Sequence, residues 1–566
     1  MESILFDIGL IIIISSIFVY LAKLLKQPVI PAYILAGFLI SKFNWISDKS
    51  SITILSQLGI AFMLFTVGLE LDFKKIKNFL RISILGGSIQ VLLTGLVGFA
   101  ASQYLGFSRI VSFYFALVVA FSSTMVVVKI LSDREEIDTL HGKIIIGILL
   151  MQDVAAILAL SFLTVVDSFS LVNVLIISVK LSVLIILMYL LNFFLPYILK
   201  KAAKSSELLL LISLSICFIF IFLAMKLGFS IVIGAFLAGI LLANTPYKFE
   251  ILGRMSPIRD FFVALFFTSL GWEVTISDLV TFIKPFFVFL FLIIFVKPLL
   301  VLLITSLFGY ERKTSFLTSI SLSQTSEFSL VLAYQGLALH QIPQEMSSLI
   351  IMLTVTTIIL TTYLMKFDRK LFRLLSKHLK ILENHPKSLG NLTSNSFDVV
   401  LLGSNRMGYS ILRTLRKLNT KFVVVDYDPE VIQLLSTQGV QCVYGDATDP
   451  EILDKVAIKK AKLVISTLPD PDDNMFILKF VKKENPKAFV FLTATHLDDA
   501  ILFYDKGADY VILPHFLGGD YAALLVEKFS RDFKSLIVER IKHIQELKRR
   551  KRLNRSHPLK NEHSKV

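Results

Sequence analysis

Long apolar segments separated by short polar connections make up the first two thirds of the chain. Thirteen of them approach the roughly 20 apolar residues with which a helix crosses a bilayer, and a helix satisfies its own backbone hydrogen bonds in lipid. We therefore predict thirteen membrane-spanning helices, of which the second, ninth and tenth are short. They cover residues 4–22, 28–41, 52–69, 82–105, 110–128, 144–165, 171–197, 207–225, 229–244, 258–271, 285–307, 315–338 and 347–365.

The pattern changes after Lys366, where apolar runs shorten to strand length and charged residues become dense. This is typical of a soluble domain. Hydrophobic residues still form 55% of the 566 residues, above the roughly 45 to 50% of soluble proteins. We predict four parts in chain order: a transmembrane domain over 1–366, a basic amphipathic linker over 367–395, a soluble α/β domain over 396–515, and a charged tail over 516–566 that is helical and then disordered.

Lysine and arginine are distributed unequally between the two sets of connections. Most of them lie in alternate connections, which marks these as cytoplasmic and the N-terminus as external. Thirteen spans then place the soluble domain in the cytoplasm, beneath the inner membrane. Two cysteines, Cys217 and Cys442, are too few for a disulfide framework and agree with this placement. The net charge of +15 lies beside spans and in the tail, which favours lipid headgroups over nucleic acid as partners.

Ionisable residues in predicted spans are candidates for function, because such groups are costly in lipid. Asp153 lies in an apolar span, where it could hold a proton or a cation in turn. Glu327 lies in a polar stretch, residues 321–328, that suits an unwound segment or a cavity wall. Lys297 could neutralise a carboxylate or the negative carbonyl end of a broken helix. A purely structural role stays open for each.

A run of three hydroxyl side chains interrupts another apolar span. Ser122, Ser123 and Thr124 could bond freed backbone groups or offer oxygen ligands to a hard cation, although hydroxyls also bond back to the preceding helical turn. Together with a central carboxylate, a second polar-interrupted span and a buried lysine, this stretch is typical of an ion-coupled secondary transporter.

Seven motifs in order carry a family resemblance: residues 65–71, 122–124, 152–153, 234–239, 266–271, 297 and 326–328. With them the chain resembles the cation:proton antiporter-2 family, in particular the Kef-type potassium/proton antiporters that carry a C-terminal TrkA-N/RCK nucleotide-binding domain. The resemblance extends over nearly the whole chain to about residue 515.

The resemblance implies an all-α polytopic domain of inverted repeats with broken helices that cross at the midplane, followed by a Rossmann-like RCK domain. By similarity, Asp153 binds the transported cation or a proton in turn, Gln152 beside it favours potassium over sodium, and Lys297 lies close to Asp153. In chain order the implied transport residues are Ser122, Ser123, Thr124, Gln152, Asp153, Lys297 and Glu327.

Strands and helices alternate from residue 398. A buried strand leads into Gly403, a helix follows, and the next strand ends in Asp426. This unit is typical of dinucleotide-binding domains. Asn405 replaces the usual middle glycine, but asparagine accepts a left-handed backbone conformation. The alternative that the domain has kept its fold and no longer binds a ligand stays open. By resemblance to RCK domains, NAD(H), AMP or ATP would contact Gly403, Asn405, Gly408, Asp426, Asp446 and Thr448.

The sequence therefore predicts a monovalent cation/proton antiporter regulated by a nucleotide, and not an enzyme. Its predicted partners are K+ or Na+, H+, the nucleotide, membrane lipids and a second copy of the chain. Small residues at 235, 239 and 243 suit either this dimer or packing within one subunit. The alternative is a nucleotide-gated potassium channel, although residues 66–70 lack the second glycine and the aromatic residue of a selectivity filter.

Overall fold

The computed structural model describes residues 2–43, 45–46, 49–70, 81–134, 136–137, 139–163, 171–274, 282–375, 396–404, 407–531, 540 and 544. They belong to two compact units, Met1–Leu382 and Glu383–Val566.

The first unit is helical throughout its described elements. In chain order these are α1 (Glu2–Leu24), α2 (Val29–Lys42), α3 (Lys49–Glu70), α4 (Arg81–Tyr104), α5 (Arg109–Ala120), α6 (Thr124–Asp133), α7 (Leu140–Leu163), α8 (Leu171–Ala202), α9 (Ser206–Lys226), α10 (Ile231–Ala243), α11 (Lys248–Gly271), α12 (Ile283–Leu307), α13 (Arg312–Ser321), α14 (Glu327–Ala338), α15 (Gln344–Lys366) and α16 (Asp368–Leu375).

Each predicted span coincides with one helix or with a pair of helices. Two of the spans are broken: α5 and α6 are separated at residues 121–123, and α13 and α14 at residues 322–326. By length and composition, nine helical stretches in the described part of the chain are apolar enough to cross a membrane. The predicted helical membrane domain is thereby confirmed.

Two helices contain a π-helical stretch, in which one extra residue is accommodated within the turn. The residues Arg81–Gly86 open α4, and Leu292–Val296 lie within α12 directly before Lys297. Both stretches precede polar residues of the candidate site.

Glycines allow several helices of the membrane unit to approach closely. A Cβ atom on Gly37 of α2 would lie 1.9 Å from the Thr268 carbonyl oxygen of α11. A Cβ atom on Gly239 of α10 would lie 2.2 Å from the Phe65 carbonyl oxygen of α3. Small residues permit such contacts between membrane helices. Gly239 therefore serves packing within one subunit, one of the two roles that its spacing allows.

The second unit contains a parallel sheet of six strands in the order β3-β2-β1-β4-β5-β6. This is the doubly wound arrangement, and its strands are followed by helices as in Rossmann-like folds. Its elements are β1 (Val399–Leu402), α17 (Met407–Lys417), β2 (Phe422–Asp426), α18 (Pro429–Thr437), β3 (Cys442–Tyr444), α19 (Pro450–Lys455), β4 (Leu463–Ser466), α20 (Pro471–Glu484), β5 (Phe489–Thr493), α21 (Leu497–Asp505), β6 (Tyr510–Ile512) and α22 (Pro514–Arg531).

The predicted linker and tail fall largely outside the described residues. Of the linker, α16 is helical, whereas residues 376–395 lie outside the description. Of the tail, α22 reaches Arg531, and residues 540 and 544 are the further described positions. The boundaries proposed for both segments stay predictions.

Candidate functional site

The two helix breaks of the membrane unit contact each other. The Ser122 hydroxyl donates to the Leu322 carbonyl oxygen at 3.0 Å. The Gln324 side-chain nitrogen donates to the Ser123 carbonyl oxygen at 3.3 Å. A helix end leaves backbone N–H and C=O groups without partners in the helix, so four such ends are brought together in the interior of the unit.

Lys297 binds the carbonyl ends of both broken helices. Its side chain is 1% exposed, and Nζ donates to the carbonyl oxygens of Phe121 and Gln324, each at 2.7 Å. A cation is favoured where helical carbonyl groups end. Of the two partners considered for Lys297, the carbonyl ends are therefore confirmed. The structure gives it no ion pair with Asp153, both residues being among those described.

Asp153 lies on α7 and faces the first turn of α6. The side chain is 2% exposed, and both of its carboxylate oxygens lie 3.0 Å from Thr124 Oγ1, which donates to them. Thr124 is the first residue of α6, and Ser123 caps this helix by accepting from the Val126 N–H at 3.3 Å. The carboxylate thus lies beside the positive end of a helix dipole.

Glu327 approaches the same end of α6 from the other broken helix. It is the first residue of α14 and 1% exposed. Its Oε1 accepts from the Met125 N–H at 3.4 Å, and its Oε2 accepts from the Ser326 hydroxyl at 3.5 Å. Adjacent residues in the first turn of α6 therefore bind two different carboxylates. This helix N-terminus is the centre of the candidate ion site.

Gln152 bonds the first helix break, and a residue that sequence reasoning missed completes the arrangement. Gln152 Oε1 accepts from the Ser122 N–H at 2.8 Å, and its Nε2 donates to Gln90 Oε1. Gln90 Nε2 in turn donates to the Ala120 carbonyl oxygen at 2.9 Å. Gln90 carries no charge and lies in a largely apolar helix, so the sequence marks it only as an amide within a span, with Thr94 one turn later.

The second break is bonded by hydroxyl groups on α15, which sequence reasoning also missed. Thr361 Oγ1 donates to the Ser323 carbonyl oxygen at 2.7 Å, and Thr357 Oγ1 accepts from the Thr325 N–H at 3.3 Å. Within the described residues, Gln324 Oε1 is buried at this break without a hydrogen-bond partner in the protein. The second break therefore retains one inward-facing acceptor.

Two ion pairs join the start of α16 to the connection between α6 and α7. Arg134 Nη1 donates to Asp368 Oδ2 at 3.0 Å, and Arg369 Nη2 donates to Glu136 Oε1 at 2.7 Å. We refer to them as the linker ion pairs. Burial raises the pKa of Asp368 above its usual range, although the Arg134 charge opposes this. The ion pairs thus fasten α16 to the connection that leads into α7, the helix that carries Asp153.

In the second unit, the residues that follow β1 are hydrogen-bonded to Asp426 at the end of β2. Gly403 has φ +83°, and a Cβ atom on Gly408 would lie 2.4 Å from the Gly403 carbonyl oxygen. Asp426 accepts from the Ser404 N–H at 2.9 Å and from its hydroxyl at 2.8 Å. Burial and the nearby Asp428 charge raise the pKa of Asp426, against these hydrogen bonds.

The loop after β3 joins the same edge of the sheet. The Gly445 N–H donates to the Asp426 carbonyl oxygen at 3.1 Å, and the Thr448 N–H donates to Asp446 Oδ1 at 2.8 Å. Thr467, after β4, was not foreseen; its hydroxyl donates to the Gly403 carbonyl oxygen at 3.0 Å. Of the predicted nucleotide contacts, Asn405 lies outside the described residues.

Comparison with known protein families finds a match for the membrane unit and another for the second unit. Residues 10–366 match the family model described as sodium/hydrogen exchanger, transmembrane. The chain belongs to the sodium/hydrogen exchanger family. In this exchanger, residues 399–514 also match the TrkA-N domain. The predicted kinship with Kef-type antiporters that carry a TrkA-N/RCK domain is confirmed, and the family consists of transporters.

Relatives of this exchanger include the putative cation/proton antiporter YbaL of Escherichia coli, 27% identical over 529 residues, which are 89% of this chain and 93% of YbaL. The glutathione-regulated potassium-efflux system protein KefC of Salmonella arizonae is 25% identical over 508 residues, 87% of this chain and 80% of KefC. Among solved structures, the sodium proton antiporter MjNhaP1 of Methanocaldococcus jannaschii covers 64% of this exchanger and 97% of its own chain at 17% identity, with a TM-score of 0.55. This likeness shows the fold of the membrane unit.

Proposed function

We propose that this exchanger moves a monovalent cation across the membrane in return for protons, and that Asp153 carries the two ions in turn. Family membership supports cation/proton exchange in general. The observation that carries the finer proposal is the contact of Asp153 with Thr124 at the start of α6. There an anionic carboxylate is stabilised by the helix end, while a proton or a cation can neutralise it.

Competition for one carboxylate makes the exchange obligatory. Asp153 cannot hold a proton and a cation together, and an ionised, unoccupied carboxylate is expensive to move through a medium of low dielectric constant. Movement of the broken-helix region therefore carries either ion but rarely neither. Lys297 donates hydrogen bonds to the carbonyls at both helix breaks, which lets the interior retain unwound backbone throughout the cycle.

Potassium is the proposed physiological cation, and sodium is the competing one. The proposal rests on Gln152 beside Asp153, a feature of the Kef-type pattern, and on KefC being a potassium-efflux protein by name. We also propose that the active form is a homodimer in the inner membrane, with the N-terminus outside and the second unit in the cytoplasm.

Regulation by a nucleotide is proposed for the second unit. Its TrkA-N match and the close approach at Gly403 and Gly408 suit phosphate groups that come near a backbone. Asp426 is proposed to accept from the ribose hydroxyls, with Asn405, Asp446 and Thr448 near the ligand. NAD(H), AMP and ATP are the candidates. The linker ion pairs offer a route by which a change in the linker reaches α7 and Asp153.

The deciding experiment follows proton efflux from acid-loaded proteoliposomes when KCl or NaCl is added outside. Cation-driven efflux is expected for the unmodified chain and background rates for Asp153→Asn. Asp133→Asn is the matched control, because Asp133 is an exposed residue of α6 that pairs with Lys129; it should exchange normally. Exchange by Asp153→Asn at the unmodified rate would contradict the proposal. A cation current without proton movement would instead favour the channel.

A further inference from the structure

Two amide side chains form a continuous bridge across the first helix break. In an uninterrupted helix each N–H bonds to the carbonyl four residues earlier; the break at Phe121 removes such bonds from the Ser122 N–H and the Ala120 carbonyl. The Ser122 N–H donates to Gln152, Gln152 donates to Gln90, and Gln90 donates to Ala120. The three hydrogen bonds all point the same way, from the Ser122 N–H toward the Ala120 carbonyl. Hydrogen bonds that are aligned in a chain polarise and strengthen one another.

The orientation of Gln90 is fixed by its own helix. Its Nε2 also donates to Thr94 Oγ1 at 3.0 Å, and Thr94 Oγ1 donates back to the Gln90 carbonyl oxygen at 2.7 Å. Both protons of the Gln90 amide are therefore committed, and its oxygen faces Gln152. Gln90 and Gln152 are each 1% exposed, so water cannot replace either partner without rearrangement.

The bridge joins the helix break to the residue that precedes Asp153. Ser122 and Thr124 lie on one side, and Gln152 and Asp153 are consecutive on the other. Because Gln152 holds Ser122, it sets the distance and rotation of the break relative to α7. The contact between Thr124 Oγ1 and both Asp153 oxygens depends on that setting.

We infer that Gln90 is a positioning residue for cation exchange, which acts through Gln152 to hold Thr124 against Asp153. This inference rests on the proposed function. It also assigns Gln152 a bridging role, since its oxygen accepts from Ser122 and its nitrogen donates to Gln90. The described hydrogen bonds of the Gln90 side chain go to Thr94, Ala120 and Gln152, so its proposed effect on the ion is indirect.

The test measures the apparent KM and kcat for K+ and Na+ in proteoliposomes for Gln90→Leu, Gln152→Leu and the double variant. Residues that orient an ion's direct ligands commonly change affinity by about 10-fold to 100-fold, so Gln90→Leu is expected to raise KM at least about tenfold. If Gln90 acts through Gln152, the double variant should match Gln152→Leu, because the two changes remove one bridge. A purely structural loss would lower the active fraction and hence kcat while KM stays constant.

Gln103→Leu is the matched control. Gln103 lies on the same helix, is exposed, and bonds to Phe107 and Ser112 near the end of α4. The same chemical change there should leave KM unaltered. An unchanged KM in Gln90→Leu, or KM increases that multiply in the double variant, would overturn the inference.

Gln90→Glu keeps the experiment decisive if Gln90→Leu does not fold. Glutamate retains an acceptor for Gln152, but when ionised it cannot donate to Ala120, so a KM between those of the unmodified chain and Gln152→Leu is expected. The role would be contradicted if a well-folded Gln90→Glu variant, at a pH where glutamate is ionised, had the same KM as the unmodified chain. It would also be contradicted if no substitution of Gln90 changed the KM. If the unmodified chain exchanges no cation, the proposed function fails instead, which separates the two results.

Discussion

Asp153 in the membrane unit and Asp426 in the second unit are both buried aspartates, but their carboxylates accept different numbers of hydrogen bonds. Within the described residues, Asp153 accepts from one hydroxyl, which its two oxygens share. Asp426 accepts from three separate donors, the N–H and hydroxyl of Ser404 and the N–H of Asp428. The first carboxylate keeps lone pairs for an incoming ion, whereas the second holds two loops together.

This difference suggests a general way to tell a buried carboxylate that is suited to bind an ion from one that organises the surrounding loops. A buried carboxylate with few donors is costly when ionised and gains from binding a proton or a cation. One that several N–H and O–H groups already satisfy gains less and chiefly fixes its surroundings. Asp153 is thus suited to change partners during a cycle, and Asp426 to hold a loop in one shape for a ligand.

Removing the Thr124 hydroxyl that donates to Asp153 should have the largest effect. Thr124→Val keeps the side-chain shape but removes the hydroxyl, and hydrogen bonds to charged groups contribute about 1.5 to 3 kcal/mol. The rate of cation-driven proton efflux at low cation concentration should fall about 10-fold to 100-fold. Thr124→Ser, which retains the hydroxyl, should restore most of it. Equal rates for valine and threonine would remove the basis of the comparison.

Replacing Asp426 should affect the second unit and leave ion exchange by the membrane unit intact. Asp426→Asn exchanges one acceptor oxygen for an NH2 group, so one of the three donors loses its partner, at a cost of about 1 to 3 kcal/mol. We expect a lower unfolding midpoint temperature for the second unit and nucleotide binding that is at least about tenfold weaker. Calorimetry on the full chain measures both. Asp428→Asn, which preserves the backbone N–H to Asp426, is the control.

The linker ion pairs should give the smallest effect, because the arginine of each pair is partly exposed to solvent. Burial would raise the pKa of Glu136, but the hydrogen bond with His141 and the Arg369 and Arg134 charges lower it below the usual value of 4.5. Its stabilising contribution is therefore complete above pH 4.5 and is lost as the pH falls through the lowered pKa.

Glu136→Gln should accordingly lower the stability of the membrane unit by about 0.5 to 1 kcal/mol at neutral pH. The difference in unfolding free energy between the variant and the unmodified chain should become smaller in acid. Thermal unfolding in detergent at several pH values measures it, and a difference that grows as the pH falls would contradict the assigned sign. The same variant should weaken any response of exchange to nucleotide if the linker ion pairs transmit it.

Much of the membrane fold could be predicted because lipid imposes simple constraints. Apolar length identified the thirteen spans, each of which coincides with a helix or a pair of helices. The polar run at 321–328 indicated one break, whereas the break at 122–124 was implied by the family resemblance. These signals are local: each depends on residues adjacent in the chain. In the second unit, about thirty consecutive residues likewise contain the strand, glycine turn, helix and acidic residue. Their Rossmann-like arrangement could therefore be predicted from the sequence.

The partners across the membrane unit could not be read in the same way. Gln90 meets Gln152 from 62 positions away, and Lys297 meets Phe121 from 176 positions away. A single amide in an apolar helix resembles any tolerated polar residue until the opposing backbone is known. Lys297 stood out by its charge, but whether a carboxylate or a carbonyl would receive it depended on geometry alone.

The π-helical stretches before Gln90 and Lys297 are places where the chain length can change without turning the site residues. Each stretch accommodates one surplus residue, whereas successive residues in a regular helix are rotated by about 100°. Deleting one residue from Leu292–Val296 would restore regular α-helix and leave Lys297 directed at the two carbonyls, but the same deletion in the regular part of α12 would turn the residues that follow it by about 100°. At the π-helical stretch an alignment gap of one position is therefore compatible with an intact site.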